Sequence, residues 1–166
     1  MDLEHFKKVF NQLSDDLLLC LLWNQGEPFL NSNLIKMIRH ASDRNVPTIT
    51  STNVHYIRTE EEAEAIIDSG LSELILSLDG VDAETYVTYR VGGDFDRVIK
   101  GIELITDAKR RRKATSPQIH LQFILMKHNE DQVETARQMA RDFGVDRLSL
   151  KTAQVYTEEE AETFLP

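Results

Sequence analysis

Two short segments of the chain combine residue types that could bind a small polar molecule. Gly26 precedes Glu27, so unobstructed backbone lies beside a carboxylate that can accept hydrogen bonds from an ammonium group. Ser77 and Asp79 are two residues apart and face the same side of an extended segment, where a hydroxyl and a carboxylate suit a sugar or an amino acid. The residues alone leave a structural alternative open at both places, namely an exposed turn after Gly26 and an Asx-type turn at Asp79.

The segments around these residues alternate between strand-like and helix-like patterns. Strand patterns cover residues 15–23, 46–52, 73–78, 119–126 and 146–151, and helix patterns cover residues 3–13, 59–70, 82–90, 95–111 and 130–143. A further helix is predicted after a cap at Asn31 or Ser32. Thr59 with Glu62 predicts a capping box, and Asp94 predicts the cap of the longest helix.

Repeated strand–helix units of roughly 30 residues are what a parallel sheet needs, because parallel neighbours require a crossover connection. The strands are mostly apolar, which favours a sheet covered on its faces. Five such units are too few for a closed eight-stranded barrel. We therefore predict an α/β fold, a partial TIM-like (β/α) barrel over residues 1–156, with a doubly wound sheet as the alternative. The acidic residues 157–166 are predicted to be a tail or the start of a linker.

In both architectures ligands bind at the carboxyl ends of the strands. All five predicted ends carry polar residues, at positions 24–28, 51–53, 77–80, 126–129 and 151–154. Loops are commonly polar, so this pattern alone does not separate a binding site from ordinary surface.

Composition excludes several classes of protein. The 166 residues carry a net charge of −9, which argues against a nucleic-acid partner, and the basic run 109–113 is predicted to be a solvated helix end. The apolar run Leu17–Trp23 is too short to cross a membrane, and the first residues lack the apolar core of a signal peptide. We therefore expect a cytoplasmic protein with no membrane or nucleic-acid partner.

Cys20 is the only cysteine among the 166 residues, so they cannot form an internal disulfide or a cysteine cluster for a metal. Its place within an apolar run predicts a buried, inert thiol. The five histidines are scattered, and no nucleophile-elbow or P-loop sequence occurs. A metal-independent α/β enzyme is accordingly the weakest of the functional hypotheses.

Several segments, in order along the chain, resemble radical S-adenosylmethionine (SAM) enzymes. Trp23–Asn31 is similar to the Gly-Gly-Glu-Pro motif on the second strand of that family, although Asn24 and Gln25 depart from the commoner glycine. Ser51–Asn53 resembles the end of the family's third strand. Ser77–Gly80 with Arg90 resembles its fourth strand and the Ser…Arg pair found there. Residues 121–129 and 150–154 resemble its fifth and sixth strands. The last two resemble the subgroup that carries C-terminal auxiliary-cluster (SPASM-type) domains. The resemblance covers about Met1 to Val155.

This resemblance implies a ligand and a role for each matching residue. Gly26, Glu27 and Pro28 would hold the amino group of SAM. Ser77 and Arg90 would bind its carboxylate, and Ser51, Asn53 and Asp79 would line its methionine and ribose side. A complete enzyme of the family would cleave SAM reductively to a 5′-deoxyadenosyl radical that acts on a peptide or a small molecule.

The main departure from the family is its CxxxCxxC loop, which ligates a [4Fe–4S] cluster and does not occur in these residues. Met1–Leu13 resembles the helix that follows that loop. We therefore expect a fragment of a radical SAM protein, without the cluster, with residual SAM binding and without activity as this chain. A non-enzymatic scaffold or partner-binding domain is the alternative. An exposed sheet edge at Leu17–Trp23 would then favour a homo-oligomer.

Overall fold

The computed structural model describes residues 1–166 as one sheet with helices packed against it. The strands are β1 (Cys20–Leu21), β2 (Thr48–Thr52), β3 (Glu73–Ser77), β4 (Gln118–Leu125) and β5 (Arg147–Thr152). The helices are α1 (Leu3–Leu13), α2 (Leu34–Ser42), α3 (Glu60–Ile67), α4 (Ala83–Tyr89), α5 (Phe95–Arg112), α6 (Val133–Phe143) and α7 (Glu158–Phe164). Two 3₁₀ turns, Pro28–Leu30 and Glu130–Gln132, precede α2 and α6.

The sheet is parallel throughout and keeps the order β1-β2-β3-β4-β5. Each strand lies beside the next one along the chain, so right-handed crossovers put all the connecting helices on the same face of the sheet, as in the wall of a barrel. A doubly wound sheet needs a reversal of strand order, which this sheet lacks. The partial-barrel prediction is thus confirmed, and the doubly wound alternative is wrong.

The two faces of the sheet differ in chemistry because side chains alternate along each strand. Leu74, Leu76, Ile119 and Leu121 belong to one face and to the main buried core. The opposite face is more polar, because it carries Ser51 on β2, Ser77 on β3, and His120 and Gln122 on β4, with Ile75 as an apolar exception. The predicted site residues of β2 and β3 therefore face the open side of the partial barrel.

The first strand is much shorter than residues 15–23. Only Cys20 and Leu21 pair with β2, through bonds from Cys20 N to Pro47 O and from Leu22 N to Ile49 O. β1 lies at the edge of the sheet, so a single neighbour orders it, and Leu18 remains 92% exposed. Cys20 is half-buried rather than buried, and partial burial raises the pKa of its thiol.

Most of the predicted helix caps are confirmed. The Thr59–Glu62 capping box is present, and Asp94 accepts a hydrogen bond from Arg97 N at the start of α5. The cap of α2 is different, because Asn33 is its N-cap and makes no side-chain capping bond. Asn31 instead accepts from Asn33 N, which stabilises the turn before the helix.

The basic end of α5 does not simply extend into water as predicted. Arg112 reaches Glu64 at 2.8 Å and Asp68 at 3.1 Å, and Lys109 pairs with Asp146. These pairs join α5 to α3 and to the turn before β5. Arg111 likewise pairs with Glu60, so Lys109, Arg111 and Arg112 have acidic partners on other elements.

The acidic residues from Thr157 onwards form α7, which begins with a capping box between Thr157 and Glu160. The helix lies against the rest of the chain, because Lys127 N donates to Phe164 O at 3.0 Å and Phe164 packs edge-on against Tyr89. None of the seven helices combines the length and the apolar character that a bilayer crossing requires.

Candidate functional site

A cleft of about 520 Å³ opens at the carboxyl ends of β1, β2 and β3. It contains six of the eight residues predicted from the sequence, namely Gly26, Glu27, Ser51, Asn53, Ser77 and Arg90. Pro28 starts the 3₁₀ turn beside the cleft, and Asp79 lies behind its wall. The strand-end segments therefore meet at one place, although they span 65 positions of the sequence between Gly26 and Arg90.

Glu27 joins the loop after β1 to the end of β2. Its Oε1 accepts hydrogen bonds from Thr52 Oγ1 at 2.8 Å and from Phe29 N at 3.1 Å, and its Oε2 accepts from Asn53 N at 2.7 Å. A carboxylate offers about four acceptor positions, so these three bonds leave room for one more donor. The side chain thus presents a fixed negative charge that suits an ammonium group.

Gly26 permits the turn that brings Glu27 to this place. Its φ of +78° is a left-handed conformation, and a Cβ added there would meet no atom within 4 Å. The glycine is therefore needed for its backbone conformation, and not for close approach of a neighbouring group.

Asp79 and Arg90 form an ion pair beneath the cleft. Asp79 Oδ2 accepts from Arg90 Nε at 2.7 Å, and Asp79 Oδ1 accepts from Ile124 N at 3.0 Å. Burial raises the pKa of Asp79 above its ordinary value, while the charge of Arg90 opposes that rise. Asp79 is fully buried, and its carboxylate contacts Arg90 and β4. The resemblance had implied that Asp79 lines the methionine and ribose side of SAM, and the structure instead places it behind the cleft wall.

Arg90 remains available to a ligand despite this pairing. Its side chain is 31% exposed and lines the cleft. Ser77, at the end of β3, lines the same cleft and is 7% exposed. A guanidinium and a hydroxyl on one wall provide the donors that a carboxylate accepts.

Several residues of the site were not singled out from the sequence. Trp23, Leu30, Thr52 and Tyr56 also line the cleft. Asn129 is fully buried below it, where its Nδ2 donates to Asp79 O at 3.3 Å and to Ile124 O at 3.0 Å. The sequence signals for Asn129 were its place in the polar segment after β4 and at the end of residues 121–129, which resemble the family's fifth strand.

Val54 follows Asn53 in a conformation that is rare for a β-branched residue. Its φ is +70°, and its side chain is fully buried. Val54 N donates to Thr52 Oγ1 at 3.0 Å, and α5 approaches so closely that a Cβ on Gly101 would lie 2.4 Å from Val54 Cγ1. Packing from α5 thus holds the strained turn that places Asn53 in the cleft.

A larger groove, of about 780 Å³, lies beside β1 and is mainly apolar. It is lined by side chains of α1, of the edge segment 17–23 and of α2, and it shares Trp23, Glu27 and Leu30 with the site cleft. The sheet edge and this groove together leave a continuous apolar surface next to the polar site.

The chemistry of the site cleft fits SAM. A carboxylate (Glu27) and a hydroxyl–guanidinium pair (Ser77, Arg90) match the charges of an amino-acid group, and the volume lies within the range of small-molecule sites. An iron–sulfur cluster does not fit the residues present. The chain has one cysteine, and no three His, Cys, Asp or Glu side chains are grouped to hold a metal.

Comparison with protein families settles the family of the chain. The model of the radical SAM superfamily matches residues 1–140. The chain belongs to the radical SAM superfamily. The resemblance to the radical SAM family is thereby confirmed, and the SPASM-type subgroup stays a prediction.

Curated relatives of this radical SAM chain include a peptide cyclase and a heme synthase. A PqqA peptide cyclase from Bradyrhizobium diazoefficiens is 28% identical over 92% of the chain and 38% of its own length. An AdoMet-dependent heme synthase from Methanosarcina barkeri is 27% identical over 75% of the chain and 34% of its own length. The chain therefore spans little more than a third of these curated relatives.

Solved structures share the fold. Streptococcus suis SuiB bound to S-adenosylmethionine superposes with a TM-score of 0.72 at 16% identity, over 93% of this chain and 34% of SuiB. Native anSMEcpe with bound AdoMet and Cp18Cys peptide gives a TM-score of 0.75 at 16% identity, over 100% of this chain and 48% of that one. At this level of identity the likeness supports the fold alone.

Proposed function

We propose that this chain is the SAM-binding part of a radical SAM enzyme that modifies a peptide or a small molecule. The observation that carries the proposal is the convergence of Glu27, Ser77 and Arg90 on one cleft. Similarity of residues 121–129 and 150–154 to the SPASM-type subgroup supports placing the parent protein there.

Each site residue has a role that follows from its contacts. Glu27 accepts from the ammonium group of SAM while it holds Asn53 N, and Arg90 with Ser77 donates to the carboxylate. Asp79 is a positioning residue, because it fixes Arg90 from beneath. Ser51 and Asn53 line the methionine and ribose side, and Gly26 with Pro28 shapes the turn that carries Glu27.

The chemistry that SAM supplies in this family is a 5′-deoxyadenosyl radical, formed when an electron donor reduces it. A [4Fe–4S] cluster requires at least three protein thiolates, and these residues hold one. We therefore propose that the chain by itself binds SAM without cleaving it. Anaerobic reconstitution with iron and sulfide should leave no stoichiometric four-iron cluster, and a full cluster would overturn this part of the proposal.

Titration calorimetry with SAM tests the binding claim. We expect a dissociation constant in the millimolar range, about 4 kcal/mol of binding free energy, because the amino-acid end of SAM would lack the metal contact of a complete enzyme. Arg90→Ala should abolish measurable binding, whereas Arg39→Gln, an exposed arginine on α2, should not change it. Decarboxylated SAM should bind the Arg90→Ala variant and the unsubstituted chain with the same affinity. Binding that Arg90→Ala leaves intact would place SAM elsewhere.

A non-enzymatic scaffold is the second candidate, favoured by the apolar groove and the open sheet edge beside β1. On this hypothesis the chain holds a partner, a second copy being the simplest, and SAM produces no change at the site cleft.

A further inference from the structure

A second cleft, of about 400 Å³, adjoins the site cleft. One wall is the segment after β2, residues 53–58, and the other is the segment that joins α4 to α5, residues 90–94, together with Arg97 in the first turn of α5. The two clefts share Asn53, Tyr56 and Arg90. None of the strand-end motifs accounts for the rest of this second cleft.

The second cleft is cationic in an acidic protein. Arg58, Arg90 and Arg97 line it without any carboxylate, although the chain carries a net charge of −9. Asp79 pairs with Arg90, and Asp94 lies 3.7 Å from Arg97 Nε. Arg58 has no acidic partner: its Nε donates to His55 O, and its guanidinium lies over the ring of Tyr56. Its terminal nitrogens are therefore free to bind an anion.

Tyr86 supplies a second and independent sign of a ligand. Its side chain is fully buried, lines this cleft, and its hydroxyl has no hydrogen-bond partner. The ring is fixed between His55 and Phe95, with centroids at 6.4 and 5.8 Å. Burial raises the pKa of Tyr86, so the hydroxyl stays a donor at neutral pH. A buried donor left without an acceptor costs free energy, which an acceptor on a ligand would recover.

The two walls are tied together by His55. Its Nδ1 lies 2.9 Å from Asn53 O, and its Nε2 accepts from Asp94 N at 3.0 Å. Because the Asp94 amide must donate, Nε2 carries no proton and Nδ1–H donates to Asn53 O. His55 therefore joins the segment after β2 to the N-cap residue of α5. The backbone at Gly93 packs closely against the ring of Tyr86, and only glycine fits there, since a Cβ would lie 2.6 Å from Tyr86 Cε1.

We propose that this second cleft binds the carboxylate or phosphate group of a small anionic molecule, which accepts hydrogen bonds from Arg58, Arg97 and the Tyr86 hydroxyl. The position is separate from Ser77 and Glu27, which lie on the other side of Arg90 in the site cleft. The inference stands on this cleft alone and does not depend on SAM binding.

Amide chemical shifts of the ¹⁵N-labelled chain test the proposal, with inorganic pyrophosphate and succinate as probes at constant ionic strength. We expect saturable shifts at Tyr56, Gly92, Gly93 and Arg97. A lower dissociation constant for pyrophosphate would assign a phosphate group, and a lower one for succinate a carboxylate. Shifts no larger than those caused by chloride would overturn the proposal.

Two variants separate a ligand role from a structural one. Arg58→Gln should raise the dissociation constant about tenfold, as expected for loss of one charged hydrogen bond, while Arg39→Gln should not. Tyr86→Phe should weaken binding several-fold and leave the thermal midpoint equal or higher, because it removes an unpartnered hydroxyl. If only Arg90→Gln weakens binding, the anion lies in the site cleft and the second cleft has no such function.

Discussion

Asp79 and Arg90 form an ion pair in which the carboxylate is fully buried and the guanidinium is 31% exposed, with 2.7 Å between Asp79 Oδ2 and Arg90 Nε. The pair joins the end of β3 to the end of α4, and Ile124 N ties the same carboxylate to β4. Its exposed partner faces the site cleft. The arrangement therefore fixes the direction of the arginine that we assign to the SAM carboxylate.

Asp79→Ala should lower both the stability and the ligand affinity of the chain. Breaking a buried ion pair costs about 3–5 kcal/mol, and the loss here should lie near the lower end because Arg90 can reach water. SAM affinity should fall with it, since Arg90 is no longer held. Urea unfolding and calorimetry measure the two effects. Unchanged SAM affinity in a folded Asp79→Ala chain would contradict the positioning role.

Asp146 should make the stability of the chain depend on acid pH. Partial burial alone would raise the pKa of Asp146, but its bonds from Ile119 N and Lys109 hold the pKa below the ordinary 3.8. A lowered folded pKa adds stability that is present above 3.8 and is lost as the pH falls through the folded value.

The matching experiment compares the parent chain with Asp146→Asn in urea across acid pH. The free energy of unfolding of the unsubstituted chain should exceed that of Asp146→Asn by about 1–2 kcal/mol near neutral pH, and this difference should shrink towards about pH 2. Asp131→Asn, an exposed position in the turn before α6, is the control and should show no such change. A difference that does not vary with pH would disprove the assignment.

At most buried valines the alanine variant is more stable than the glycine variant, and at Val54 we expect the opposite order of stability. Val54→Ala loses packing and keeps the strain of φ +70°, whereas Val54→Gly loses slightly more packing and relieves about 1–2 kcal/mol of strain. We therefore expect Val54→Gly to be the more stable of the two. Val98, fully buried within α5, is the control, and its glycine variant should be less stable than its alanine variant by about 1 kcal/mol. Thermal midpoints give both orders, and the same order at both positions would exclude strain at Val54.

The edge strand should associate with a second copy of the chain. β1 has unpaired backbone groups on one side, and Leu18 and Leu21 beside it are 92% and 55% exposed. The double variant Leu18→Lys with Leu21→Lys should therefore convert any dimer to a monomer. Tyr156→Lys also replaces a large exposed side chain with a charged one, but far from β1 in sequence, and should not change the mass. Light scattering after gel filtration measures the mass. A parent chain that stays monomeric at high concentration would contradict the expectation.

Local sequence signals predicted the elements of the fold well. The Thr59–Glu62 box and the Asp94 cap depend on residues three positions apart, so they are visible without the tertiary structure. The strand-end motifs likewise brought Gly26, Glu27 and Ser77 together correctly, because parallel strands end at one edge.

Features that depend on distant partners were not predictable in this way. The length of β1 is set by its single neighbour at the sheet edge, and the sequence of residues 15–23 does not reveal that edge's pairing. The partners of Asp79 are 11 and 45 residues away, so its burial became visible only in the fold. The same holds for the second cleft, which is lined both by Arg58 from the segment after β2 and by Tyr86 from α4.

The most direct test of the central claim is the map of amide shifts that SAM causes in the ¹⁵N-labelled chain. The account predicts saturable shifts at Gly26, Asn53, Ser77 and Arg90, which disappear in Arg90→Ala, while the amides of α6 stay unchanged. Shifts confined to the apolar groove around Phe6, Phe10 and Met37, or no shifts at SAM concentrations well above the millimolar range, would contradict it.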